Sequence, residues 1–196
     1  MGKAFKDKGW LVTSVDIRED FHPSILCDVL EFDVKMLEGL PPVDLLWASP
    51  PCTHYSSART TAKTPRDLLG SDLLVRKVLD LADELFCYYL MEDPNSGLLK
   101  SRAVVANCPM SVLDYCKYGA PYRKRTSIWT NSTWQPARPL CKHDCPVSLG
   151  KKHTSSAQQW GARGGNRRYT LEELYSMPKE LCDEIAAWAA MLMAQL

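Results

Sequence analysis

Long apolar runs are the first thing missing from this 196-residue sequence. No stretch approaches the roughly 18 consecutive apolar residues of a membrane-crossing helix, so no membrane association is expected. The opening Met1-Gly-Lys-Ala-Phe-Lys-Asp-Lys8 is too highly charged for a secretory signal, and a reducing, cytoplasmic setting is the expectation. The cysteine count of 8 is even, yet the chain is too long and too rich in core residues to need a disulfide framework. Cys27, Cys87, Cys108 and Cys182 lie among apolar neighbours and read as buried thiols. Acidic residues are almost absent from one stretch: residues 117–168 hold 11 Lys/Arg and a single acid, Asp144.

That scarcity is hidden by a net charge of only +1. Residues 1–116 carry 12 bases against 17 acids, and residues 169–196 carry 1 against 5. A basic middle inside a neutral protein is the footprint of a surface that meets phosphate, which makes nucleic acid the expected partner. Lys124, Lys151, Lys152, Arg163, Arg167 and Arg168 are its candidate contacts, with Ser56 and Arg59 on an earlier polar loop.

The stretch around which the chain is organised is Asp44-Leu-Leu-Trp-Ala-Ser-Pro-Pro-Cys52-Thr-His-Tyr-Ser56. Its apolar first half reads as a strand buried on both faces of a parallel sheet. Pro50 and Pro51 end it, since neither donates to a ladder. Cys52 is thereby presented at the carboxyl end of a strand, where open α/β sheets bind their ligands. The polar loop Tyr55 to Thr64 follows as a candidate mobile cover. Residues Asp67 to Phe86 read as a helix on the spacing of Leu73, Leu74, Val78, Leu81 and Leu85. The next strand, Cys87-Tyr-Tyr-Leu-Met-Glu92, brings Glu92 to the same rim as Cys52. Earlier, Trp10 to Asp16 and Ile25 to Val29 read as two strands, each with an acid near its end.

Pro51-Cys52, Glu92-Asp-Pro and Gly119-x-Pro121, in that order, closely resemble the C5-cytosine DNA methyltransferases. In that family the cysteine of a Pro-Cys pair attacks the base, Glu-Asn-Val stands at the position of Glu92-Asp-Pro, and Gly-x-Pro-Gln-x-Arg-x-Arg precedes a strand. The resemblance implies an α/β, Rossmann-like S-adenosylmethionine (SAM)-dependent methyltransferase fold, N-terminally incomplete, with a small loop-rich basic insertion. It implies transfer of a methyl group to C5 of a flipped cytosine in DNA, with Cys52, Glu92, Arg123 and Arg125 as catalytic residues. It places SAM against Asp16, Ile17, Asp28, Val29 and Pro50. A relative that binds DNA without catalysis is one alternative. An amino-group (N4/N6) DNA methyltransferase is another, favoured by Ser-Pro-Pro and opposed by Cys52 and Glu92.

The family begins with a strand and a glycine-rich turn that cradle the methionine part of SAM. Met1-Gly-Lys-Ala-Phe5 resembles the helix just after that turn, and Gly161-Ala-Arg-Gly-Gly165 has no preceding strand to make it a copy. A missing N-terminal segment or a partner chain is the expected source. The organisation expected is a catalytic core over 1–131, a basic target-recognition segment over 132–168, and closing helices over 169–196. In the middle segment Cys141-x3-Cys145-x7-His153 has zinc-ligand spacing, with His143 or Cys116 as the fourth ligand, so zinc joins SAM as an expected cofactor. Trp134, Trp160 and Tyr169 read as that segment's own small core. Thr170 with Glu173 forms a capping box, and Pro178 opens the last helix.

Overall fold

The computed structural model describes residues 1–57, 59, 62–155, 157 and 169–194. A short helix α1 (Gly2–Lys6) opens the chain, and the backbone then turns through Gly9 at φ +84°. Two brief parallel strands follow, β1 (Val15–Asp16) and β2 (Ile25–Leu26). The main sheet holds β3 (Leu45–Ala48), β4 (Tyr88–Pro94), β5 (Met110–Asp114) and β6 (Arg125–Thr130), in the order β3-β4-β6-β5. The pair β3/β4 is parallel and joined through α2 (Leu68–Glu84), whereas β6 runs antiparallel to both neighbours. A small hairpin, β7 (Ser148–Leu149) with β8 (Lys152–His153), precedes α3 (Leu171–Tyr175) and α4 (Lys179–Met193). No helix among the described residues is long and apolar enough to cross a membrane.

Strand alternation sorts the core into two layers. Tyr89 and Met91 of β4 and Trp129 of β6 pack with Val75, Val78, Leu79 and Ala82 of α2. Leu90 and Ile128, from the same strands, face the other way and pack with Leu181, Ile185 and Ala189 of α4 and with Phe5 of α1. Helices thus cover both faces, the layering of an α/β domain.

Several elements differ from their sequence-based expectation. Only Val15–Asp16 of the first expected strand pairs; Trp10 instead meets Phe5 edge-on, with ring centroids 5.3 Å apart. β3 is half-buried rather than closed on both faces, because it forms an edge of the main sheet. The 100° step of α2 turns Ser71, Val75 and Leu79 inward and leaves Leu73 exposed. Of the four expected buried thiols, Cys87 and Cys182 are buried and Cys27 and Cys108 are half-buried. Trp134 and Tyr169 join the α4-side core instead of forming a separate one, while Trp160 lies outside the described residues. The capping box is present, with both the Thr170 and Glu173 side chains bonded to backbone N–H groups.

Ile185 is fully buried where α4 meets the sheet. Ile185→Ala is expected to lower the unfolding free energy by about 2–5 kcal/mol, measured by denaturant titration. A loss below about 1 kcal/mol would contradict this packing.

Candidate active site at the carboxyl rim of the sheet

Parallel pairing sets Ala48 of β3 beside Met91 of β4, so the loop after β3 and Glu92 emerge at one rim. The loop is held firmly at Cys52. The N–H groups of Tyr55 and Ser56 both donate to the Cys52 carbonyl, at 3.0 and 2.9 Å. Tyr55 is fully buried; its hydroxyl donates to Asp72 Oδ1 at 2.8 Å and its carbonyl accepts from Leu98 N at 2.9 Å. Arg102 then clamps Asp72 through Nη2 at 2.6 Å, which holds that carboxyl below its ordinary range. His54 Nδ1 accepts from Asp67 N at 2.9 Å, tying the loop to the start of α2. The start of the expected mobile cover, Tyr55, is therefore an anchor. Ala58, Thr60 and Thr61 lie outside the described residues, and Arg59 donates to the carbonyls of Thr64 and Pro65 within its own loop.

Beside the loop stand two buried carboxyls, Glu92 and Asp93. Glu92 accepts from the Tyr115 hydroxyl at 3.1 Å, and the Lys124 ammonium lies 3.5 Å from the same oxygen. Lys124 also sits over the Tyr115 ring at 4.9 Å and donates to the Leu174 carbonyl. Asp93, 1% exposed, has no hydrogen-bond partner on either oxygen among the described residues. Burial pushes its carboxyl up to about 8, with the Glu92 charge adding and Lys124 opposing. Burial likewise raises the Cys52 thiol; negative charge at Asp93 and Glu92 would raise it further, and Lys124 favours the thiolate. At neutral pH Asp93 is protonated, which removes the largest electrostatic opposition to a Cys52 thiolate.

Arg123 and Arg125 point away from this pair. Both donate to the fully buried Asp114, Arg123 through Nε at 3.1 Å and Arg125 through Nε at 3.1 Å and Nη2 at 2.9 Å. The backbone N–H of Cys141 adds a further bond to Asp114 at 3.0 Å. Burial alone would raise this carboxyl, but the two guanidinium groups and the Cys141 N–H outweigh it and hold it low. The rest of the basic stretch is also partly neutralised, by Lys117 with Asp144 and by Arg138 with Glu180. Lys151 and Lys152 are exposed on the β7/β8 hairpin, and Arg163, Arg167 and Arg168 lie outside the described residues. Ser56 sits half-buried beside Tyr55.

A cavity of about 790 Å³ opens between β1 and β3. Asp16, Ile17, Asp28, Val29 and Pro50 all line it, with Trp47, Leu74 and Val78 among its apolar walls. Its size is ordinary for a cofactor site. Asp16 accepts from Arg18 N at 2.8 Å and Asp28 from Leu30 N at 2.9 Å, which orients both carboxyls. Two oriented acceptors in a largely apolar cavity, which Thr13, Ser14, Asp44 and Ser49 also line, suit a ribose diol and an adenine amine, so the residues present fit the nucleoside half of SAM. Cys141, Cys145 and His153 come together with Cys116 on the far side of Asp114.

No family model matches the chain. A protein of Frog virus 3 (isolate Goorha), described as a probable DNA (cytosine-5)-methyltransferase, is 30% identical over 201 residues, covering 91% of this chain and 89% of that protein. The chain belongs to the C5-cytosine DNA methyltransferase family. The members of this family are SAM-dependent enzymes. Among solved structures, a mutant DNMT2 of Spodoptera frugiperda matches at a TM-score of 0.40 and 18% identity, over 69% of this chain. The chain spans about half of that structure, 48% of its length.

Counted strictly from Gly119 and Pro121, the first arginine of Gly-x-Pro-Gln-x-Arg-x-Arg falls on Lys124 and the second on Thr126. Lys124 is the residue that the structure sets beside Glu92, while strand alternation sends Arg123 and Arg125 to Asp114. Asp93 occupies the position of the family's asparagine and was not among the expected site residues. Its only sequence signal is an acid directly following Glu92.

An acid that titrates near 4 in the unfolded chain and at about 8 when folded makes folding take up a proton between those values. Its contribution to stability therefore falls as pH rises from about 4 to about 8. Asp93→Asn is expected to flatten this slope and to raise stability at pH 8 by about 1–3 kcal/mol, measured by urea unfolding across pH. An unchanged slope would contradict the burial of a neutral carboxyl.

Proposed function

We propose that this methyltransferase acts on cytosine in DNA, with Cys52 bonding covalently to C6 of the base. The observation that carries the reading is the shared rim: the anchored Cys52 loop beside Glu92, whose carboxyl is held by Tyr115 and Lys124. Cys52 attacks C6 as the thiolate, after giving up a proton that burial otherwise retains. The Cys52 proton passes to solvent, while Glu92 takes up a proton as the base enters and shares it with the cytosine N3, which offsets the charge entering the ring. Tyr115 and Lys124 fix the orientation of the Glu92 carboxyl, and Lys124 also favours ionisation of Cys52. Bound SAM supplies an electrophilic methyl group for C5. Loss of the C5 proton then expels Cys52 and restores the aromatic ring.

Asp16 and Asp28 would hold the ribose and adenine of that cofactor, with Ile17, Val29 and Pro50 as apolar contacts in the same cavity. Among the described residues β1 pairs only with β2, and β3 only with β4, so their facing edges are open toward this cavity. That opening would admit a further strand, which would carry the turn for the methionine half. The base must leave the duplex to reach the thiolate, at a cost of a few kcal/mol. Ser56, Arg59, Lys151 and Lys152, with Arg163, Arg167 and Arg168, would meet the flanking phosphates and hold the opened strand.

Cys52→Ala is expected to reduce methyl incorporation into DNA to background while duplex affinity, read by fluorescence anisotropy at fixed salt, stays within about threefold. Parallel loss of both would contradict the assignment. Lys124→Gln is expected to slow single-turnover methylation by about 10²-fold. An unchanged rate would remove Lys124 from the machinery.

A further inference from the structure

Three thiols and one imidazole converge outside the rim. Cys116 lies in the short helical turn (Tyr115–Tyr118) that ends β5, Cys141 and Cys145 flank a tight turn, and His153 ends β8. His143 at φ +66° makes that turn possible, in the left-handed region that few side chains adopt. The four ligand atoms lie within 4.8 Å of one another. The His153 Nε2 is 3.7 Å from Cys116 Sγ and 3.3 Å from Cys141 Sγ. A tetrahedron with bonds of about 2.3 Å to sulfur and about 2.0 Å to nitrogen has S···N edges near 3.5 Å and S···S edges near 3.8 Å. The cluster already has nearly the dimensions of an ion's coordination shell.

The surroundings point the same way. Cys116, Cys141 and Cys145 form a buried cluster of their own, with only Val147 packed on it as a partly buried hydrophobic. Three thiols and a valine make too small an apolar core to hold a loop-rich segment in place. The Lys117–Asp144 ion pair, at 3.0 Å, ties the two cysteine-bearing segments together beside the cluster.

We propose that Cys116, Cys141, Cys145 and His153 bind one zinc ion in a closed, structural Cys₃His site. Four protein ligands leave no open position, so the ion holds shape and activates no water. Its mechanical role follows from where the ligands sit. Cys116 stands two residues after Asp114, and the Cys141 N–H donates to that same carboxylate. The ion therefore pins the segment that follows β6 to the end of β5, and fixes the Asp114 carboxylate that accepts from Arg123 and Arg125.

The test uses the full chain, purified under reducing conditions from zinc-containing medium. Elemental analysis is expected to find about one zinc per chain, and alkylation to leave three cysteines protected until a chelator removes the metal. Cobalt added to the metal-free chain is expected to give the visible bands of a tetrahedral thiolate site. Cys116→Ala is expected to lose the ion on dialysis against a chelator that the parent withstands. Cys116→His keeps four ligands, so it is expected to retain the ion with a shifted cobalt spectrum, a readout that survives if the alanine variant fails to fold. A metal-free parent with every thiol freely alkylated, a Cys141–Cys145 disulfide, or zinc held as tightly without Cys116 would each overturn the proposal.

Discussion

Buried negative charge governs how this rim is built, and the pairing of Lys124 with Glu92 is where it is resolved. A carboxylate removed from water needs a counter-charge or a hydrogen bond, and Glu92 has both, from Lys124 and from the Tyr115 hydroxyl. The alternation of side chains around the start of β6 then leaves Arg123 and Arg125 on the opposite side, where Asp114 is the second buried carboxylate to be compensated. Asp93, the third, has no partner among the described residues and is kept neutral instead. One short basic run thus serves two acids on two sides of a strand. The Cys52 loop is set beside Glu92, which the Lys124 ammonium faces, and beside the neutral Asp93.

Much of this arrangement was legible in the sequence. Pro50 and Pro51 announce the end of β3, and the helix between them and Glu92 announces parallel strands with a common rim. The capping box at Thr170 was readable because it depends on two side chains and the local backbone alone. What could not be read depends on contacts between distant segments. The inward face of α2 is chosen by the sheet it meets, which is why Leu73 is exposed despite an apolar spacing. The pairing of Arg123 and Arg125 with Asp114 is not visible in the sequence, because Asp114 is a neighbour only across the β5/β6 pair. The sequence left open whether His143 or Cys116 joins the Cys/His cluster, because Cys116 is separated from the others by the whole of β6.

The basic middle of the chain also changes meaning once folded. A composition of 11 bases to 1 acid suggests an uninterrupted phosphate-binding surface. Yet Lys117, Lys124, Arg123, Arg125 and Arg138 are all engaged by acids, and all but Lys117 by an acid outside residues 117–168. The exposed positive charge among the described residues is concentrated at Lys142 and at Lys151 and Lys152, beside the Cys/His cluster. An ion in that cluster would set the position of the hairpin that carries these lysines. The cavity between β1 and β3 reaches Pro50 and Pro51, the two residues that precede Cys52.

The central claim is that Cys52 bonds to the base. It is tested most directly by mixing the protein with a duplex carrying 5-fluorocytosine in the presence of SAM, then locating any adduct by peptide mass spectrometry. Fluorine cannot leave as the C5 proton does, so the account expects a stable one-to-one adduct on the peptide that contains Cys52. An adduct on any other cysteine, or methylated product released with no adduct at all, would contradict it.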